Sequence, residues 1–320
     1  MSKHHVAGLT GSITALATPF KNGRVDDTAL GFLVERQIAR GTSALVVCGT
    51  TGEAPTLDHP EQAVVIRSAV TAAAGRVPVI AGVGSNCTGS AIDQVYQAEW
   101  LGADGVLCVV PYYNKPTQEG LYQHFLAVQS KTSLPVLLYD VPSRTGVGLA
   151  PETVRRLADL PNVVGMKDAS GDLTRMGRLR RSLPADFLLL SGDDATAPAA
   201  LELGAQGCIS VSSNVAPALC AALHRAWVAR NHPRFRHLTE LLMPLAAAMS
   251  VESNPIPVKW ALARLGLMED ELRLPMTPLA ETNEAPLRRA LDAIVSHESE
   301  EASRIPYPPA CFVTAAATAA

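Results

Sequence analysis

The strongest constraint on this chain is a set of eight short apolar runs at a nearly even pitch. They are SITALA (12–17), ALVVC (44–48), VPVIAG (77–82), GVLCVV (105–110), PVLLY (135–139), VVGMK (163–167), FLLLS (187–191) and GCISV (207–211). Each is too short for a helix and rich in β-branched residues, the pattern of strands buried on both faces. Between them lie stretches with helical periodicity, such as DDTALGFLVERQIAR (26–40) and PEQAVVIRSAVTAAAG (60–75). Glycine or proline marks the return to a strand; in LGADGVLC and LGAQGCIS a glycine caps the outgoing helix.

Strand and helix alternating eight times predict an α/β fold, a (β/α)8 TIM barrel over residues 8–225. A doubly wound open sheet has the same local pattern. The number of runs favours the barrel, although periodicity alone does not close a sheet. From about residue 217 long helical segments take over (ALCAALHRAWVAR and HLTELLMPLAAAM), followed by the breaker NPIPVKW and a helix near EAPLRRALDAIVSH. These predict a C-terminal helical domain over 226–298. Residues 299–320, broken by proline and then small and aperiodic, are expected to form a loosely ordered tail.

Composition excludes several partners. With 48% apolar and 18% charged residues and a net charge of −3, the chain has no basic run to attract nucleic acid or an anionic membrane. No apolar stretch reaches a spanning length, and residues 1–10 lack the apolar core of a signal peptide. Cys48, Cys87, Cys108, Cys208, Cys220 and Cys311 show no CxxC pairing and read as reduced core residues. The expected location is cytoplasmic.

In a barrel the working residues follow the strands, on the carboxyl-end face. Those positions read TPF (18–20), GTTGE (49–53), GVGSN (82–86), PYYN (111–114), YDVPSRTG (139–146), KDASGD (167–172), SGDD (191–194) and SVSSN (210–214). Hydroxyls dominate, joined by tyrosines, one arginine and one lysine. Histidine and cysteine are missing from the set, so no metal is expected there. His4 and His5, adjacent near the N-terminus, read as solvated.

A lysine closing an apolar strand is costly as structure, because an amine buried among apolar neighbours resists carrying charge. A neutral amine can attack a ketone and form a Schiff base, which then serves as an electron sink. Lys167 therefore reads either as that nucleophile or as a salt-bridge partner of Asp168 or Asp194. Tyr139, closing the preceding strand, could shuttle protons to it, or simply pack. GTTGE offers the hydroxyls of Thr50 and Thr51 beside glycines that let backbone approach a ligand; it also fits a plain βα turn. Arg144 could grip a carboxylate bidentately or be solvated. GVGSN lacks the spacing of a nucleotide loop, and Asp193 and Asp194 would repel phosphate.

In this order and spacing, GTTGE, PYYN, YDVPSRTG, KDASGD, LSGDD and NPIPVKW resemble the dihydrodipicolinate synthase family over residues 8–298. The resemblance implies a lyase of lysine and diaminopimelate biosynthesis that joins pyruvate to L-aspartate 4-semialdehyde without cofactor, in a homotetramer built as a dimer of dimers. It implies that Lys167 forms the imine, that Tyr139 donates and accepts protons, and that Thr50 links Tyr139 to a Tyr113 reaching in from the neighbouring subunit. Thr51 and the backbone at Ile209 correspond to pyruvate contacts, Arg144 to the receptor of the semialdehyde carboxylate, and Gly192 to the pocket wall. Leu57, His59, Asn86 and Tyr112 match a lysine effector site. Gln62 and Ser90 depart from it, standing where histidine and an acidic residue are common in sensitive members. Asp168 and Ser170 replace the more usual Glu and Thr. The alternatives are another Schiff-base aldolase of the superfamily, N-acetylneuraminate lyase-like or acting on a keto-deoxy sugar acid, and a non-catalytic keto-acid-binding homologue.

Overall fold

The computed structural model describes residues 9–305. Eight parallel strands run in chain order: β1 (Gly11–Ala15), β2 (Ala44–Val47), β3 (Val79–Val83), β4 (Gly105–Val109), β5 (Val136–Asp140), β6 (Val163–Asp168), β7 (Leu188–Ser191) and β8 (Gly207–Ser210). Each pairs with the next, and β8 returns to β1 with Ile13 opposite Ile209. The sheet is closed. That decides for the barrel over the open sheet.

The intervening helices are α1 (Asp27–Ala39), α2 (His59–Ala73), α3 (Thr88–Trp100), α4 (Gln118–Gln129), α5 (Pro151–Ala158), α6 (Leu173–Ser182), α7 (Ala197–Glu202) and α8 (Pro217–Val228). The starts of α1, α2, α4 and α6 follow from side-chain caps. Asp26 accepts from the Ala29 N–H, and Asp58 and Glu61 form a reciprocal capping box. Strand residues alternate between two cores. Ile13, Val46, Ile80, Leu107, Leu137 and Ile209 fill the barrel, whereas Leu45, Val47, Cys108, Leu138, Met166 and Leu189 pack outward against the helices. Burial on both faces is why the strands read as unbroken apolar runs.

Three more helices follow: α9 (His232–Ala248), α10 (Ile256–Arg264) and α11 (Glu281–Ser303). The boundary expected at 225 falls inside α8, which packs on β1 as well as on α9 and α11. Residues 299–303, expected to begin a loose tail, instead continue α11. The cause is electrostatic. Glu298 accepts from the N–H groups of Ala218 (3.1 Å) and Leu219 (3.0 Å) at the start of α8 and from Arg40 (2.9 Å), and Glu301 pairs with Arg234. A carboxylate at a helix N-terminus is favoured by the free amides and the dipole there. His4, His5, Cys311 and the rest of the expected tail lie outside the described residues.

Cys48, Cys108, Cys208 and Cys220 are buried free thiols, and burial pushes Cys48 and Cys108 up to about 12. Cys87 departs from the core expectation. It is exposed at the start of α3 because it stands in a loop rather than in a strand. Among the described residues no helix is long and apolar enough to cross a membrane, and no group of histidine, cysteine and carboxylate side chains is arranged to hold a metal.

Candidate active site

The site grows out of the pairing between β5 and β6. Tyr139 stands opposite Lys167, and Asp140 opposite Asp168. Side chains alternate along a strand. Tyr139 and Lys167 therefore share the barrel side, whereas the two aspartates face the outer side, towards α6. Lys167 is 6% exposed, with Nζ 4.4 Å from the centroid of the Tyr139 ring. Both candidate counter-ions are engaged elsewhere. Asp168 is held by Arg175 and accepts from the Ser170 N–H (2.9 Å), while Asp194 accepts from the N–H groups of Val211 (2.9 Å) and Ser212 (2.8 Å). Among the described residues Lys167 has no ion pair, so the salt-bridge reading falls.

Gly192 makes room for this lysine. Its N–H donates to the Asp168 carbonyl (2.8 Å), and a Cβ there would lie 2.9 Å from Lys167 Cε and 2.7 Å from Ala169 Cβ. Ile209 is buried on the inner face of β8. The glycine of GVGSN has a steric purpose too. A Cβ on Gly82 would sit 2.2 Å from the Cys48 carbonyl oxygen, inside the path of the GTTGE loop.

That loop brings Thr50 Oγ1 to 3.4 Å from the Tyr139 hydroxyl. Among the described residues the N–H groups of Thr50 and Thr51 donate to no protein acceptor, which leaves two adjacent amides free for an anionic ligand. Thr51 is buried, and its Oγ1 accepts from Asn254 Nδ2 at 3.0 Å. Arg144, in the single helical turn Pro142–Thr145, is exposed and donates to the Asn254 carbonyl at 3.3 Å. One residue of NPIPVKW thus touches both the threonine loop and the arginine.

A second link sits below it. Lys259 Nζ meets Glu53 Oε1 at 2.5 Å, and both side chains are buried. Glu53 also accepts from the Arg273 N–H at 3.1 Å. Burial pushes the Lys259 ammonium down from its usual value, against the upward pull of Glu53. Sequence reasoning missed Asn254, Glu53 and Lys259. A signal was present, since Lys259 interrupts the apolar run IPVKWALA (256–263).

Tyr113 does not join the cluster within one chain. It is 86% exposed with φ +73°, its N–H donates to the Thr145 carbonyl (3.3 Å), and it makes no hydrogen bond to Thr50 or Tyr139. Of the four candidate effector residues, Leu57, Asn86 and Tyr112 lie on loops and His59 opens α2. Leu57 is buried and accepts from Gln62 Nε2 (3.3 Å); the His59 carbonyl accepts from Gln97 (3.0 Å); the Asn86 carbonyl accepts from Asn114 (2.9 Å); Tyr112 is half-exposed.

The model of the dihydrodipicolinate synthetase family matches residues 8–294. The chain belongs to that family. A 4-hydroxy-tetrahydrodipicolinate synthase of Bradyrhizobium diazoefficiens is 47% identical over 281 residues, 88% of this chain and 95% of the relative. Among solved members of the family, the chloride-inhibited dihydrodipicolinate synthase of Acinetobacter baumannii complexed with pyruvate superposes with a TM-score of 0.87. It is 47% identical and covers 89% of this chain and 98% of its own. A monomeric dihydrodipicolinate synthase variant reaches 0.88 at 43% identity, covering 89% and 97%. A dihydrodipicolinate synthetase family barrel therefore carries the Lys167, Tyr139 and Thr50 cluster described above.

Proposed function

We propose that the protein condenses pyruvate with L-aspartate 4-semialdehyde, the reaction of a 4-hydroxy-tetrahydrodipicolinate synthase, through an imine on Lys167. The observation that carries this reading is a buried lysine without counter-ion, set against a strand-end tyrosine whose hydroxyl meets a threonine. Lys167 Nζ attacks the pyruvate ketone and water leaves, forming the imine. Loss of a methyl proton to Tyr139, relayed by Thr50, gives an enamine, and the iminium takes up the electron pair. The enamine carbon attacks the aldehyde. The amine of the semialdehyde then adds to the imine carbon, closes the ring and expels Lys167.

Binding follows from the same geometry. The free amides of Thr50 and Thr51 suit the pyruvate carboxylate, with Ile209 and Gly192 forming the wall. Arg144 at the mouth suits the carboxylate of the semialdehyde, which favours a short acidic aldehyde over a polyhydroxy chain. Tyr113 would complete the relay from a neighbouring subunit, in a dimer of dimers. Its exposure, and the absence of a hydrogen bond from its hydroxyl among the described residues, support this. Sedimentation that shows a fully active monomer would overturn it.

Regulation by lysine is proposed to be weak or absent. Ser90 offers the effector no carboxylate, and the missing charge-assisted bond is worth roughly 1.5–3 kcal/mol. Strong inhibition by lysine in a steady-state assay would contradict this. The function itself is tested by adding pyruvate and borohydride and locating the adduct by mass spectrometry. An adduct on Lys167 with turnover of aspartate semialdehyde is expected. No adduct removes every imine mechanism, and an adduct with turnover of sugar acids alone moves the protein to another aldolase activity.

A further inference from the structure

The outer faces of β5 and β6 carry a group of charges that the proposed chemistry does not use. Asp140 and Asp168 each follow a reactive residue directly in sequence, are paired with each other across the ladder, and are buried. A single guanidinium holds both. Arg175 Nη2 donates to Asp140 Oδ2 at 2.7 Å and to the Leu149 carbonyl at 2.8 Å, and its Nη1 donates to Asp168 Oδ2. The arginine is itself fixed, because its backbone N–H donates to the Asp172 cap at the start of α6 (2.9 Å).

The surroundings close around these groups. Asp140 Oδ1 has no hydrogen-bond partner among the described residues, and burial pushes its carboxyl up to about 6 against the pull of Arg175. A Cβ on Gly148 would come within 2.9 Å of Pro142 Cγ and 3.4 Å of Asp140 Oδ1. Two like charges at this separation would push the strand ends apart unless a cation bridged them.

The opposite end of the same pairing is irregular. The register shifts between Val136 and Leu137, so that Leu137 meets Gly165 after Val136 has met Val163. Since side chains alternate with a period of two, a one-residue slip turns Lys167 or Tyr139 out of the barrel. The irregular end leaves register to be fixed at the other end, where Arg175 sits.

We infer that Arg175 is a positioning residue: by bridging Asp140 and Asp168 it locks the ends of β5 and β6 in the register that sets Tyr139 beside Lys167. The inference rests on the imine reading for its kinetic consequence, although the clamp itself does not. It acts on the reacting pair, whereas Thr50 and Thr51 follow β2 and Ile209 lies on β8, outside the β5–β6 pairing.

The test is Arg175→Lys, which keeps the charge but cannot reach both carboxylates in fork geometry. Expected is a fall in kcat of about tenfold or more with KM for both substrates within about threefold, and borohydride-trappable imine forming slower by the same factor. Hydrogen exchange of residues 136–141 and 163–169 is expected to quicken by about tenfold, with β1 and β2 unchanged. A kcat within about twofold of wild type, a KM effect without a kcat effect, or unchanged exchange overturns the inference. Should this variant not fold, Asp168→Asn keeps one oxygen as acceptor for Ser170 and replaces the other by an amide NH2 that cannot accept from Arg175. A fall in kcat of about threefold is then expected, and wild-type kcat overturns the clamp. If the wild-type enzyme traps no pyruvate, the functional reading fails, and the exchange measurement alone still decides the register lock.

Discussion

Lys167 and Lys259 are both buried, and both lie over an aromatic ring, at 4.4 Å from Tyr139 and 4.0 Å from Phe20. They differ in one respect. Lys259 meets a carboxylate, Glu53, at 2.5 Å, whereas among the described residues Lys167 has no ion pair. A buried ammonium with a counter-ion is a structural tie, since the partner offsets part of the desolvation and neither group is free to react. A buried lysine without one has no carboxylate to hold it, and its Nζ is left available to react.

The largest expected effect separates the two directly. Lys167→Ala should lower turnover by at least ~10⁴-fold, about 5.5 kcal/mol in barrier, and abolish borohydride trapping. Its melting temperature should hold or rise, because no counter-ion is left behind. Next in size is Lys259→Met, which strands the Glu53 carboxylate in the core. The cost should be about 3–5 kcal/mol of stability, read from denaturant unfolding. Adding Glu53→Gln should recover most of that loss, because the stranded charge and not the missing bond is the source. If Lys259→Met unfolds no more easily than wild type, the distinction between tie and tool collapses.

The same contrast shows which parts were legible in the sequence. The eight strands were, because burial on both faces writes itself as apolar runs. Lys167, Tyr139 and Thr50 were legible because barrel topology sends strand ends to one face and the structure does bring these three together. Three things were not. Glu53 and Lys259 are 206 positions apart, and a polar tie at that separation leaves no periodicity to read. The extension of α11 depends on Glu298 and Glu301 finding helix α8 and basic side chains far away in sequence. Arg175 reads as an ordinary basic residue on a basic helix until its two aspartates are seen side by side.

Between the two lysines lies Thr50, on the loop that Lys259 anchors and at 3.4 Å from the Tyr139 hydroxyl. Thr50→Val keeps the shape and removes the relay. The expected loss in kcat is about 10²-fold, with stability little changed. The step affected should be proton transfer. Exchange of the pyruvate methyl protons with deuterated solvent, followed by NMR, should slow more than imine trapping does. Equal slowing of both would place Thr50 in binding and take it out of the relay.

The smallest effect tests whether the anchor reaches the reactive site at all. The connection is Asn254, two residues before α10, whose side chain donates to Thr51 Oγ1 and whose carbonyl accepts from Arg144. Asn254→Ala removes only the first of these, a neutral bond worth about 1 kcal/mol, so KM for pyruvate should rise about fivefold. The backbone carbonyl remains, so KM for the semialdehyde should move less. Stability should barely change, because Asn254 Oδ1 is already a buried acceptor without a partner among the described residues, and deleting it relieves a desolvation cost that offsets the lost bond. A wild-type KM for pyruvate would mean that Lys259 stabilises the fold without steering Thr51. A fivefold rise would make the paired lysine an indirect determinant of what the unpaired one can bind.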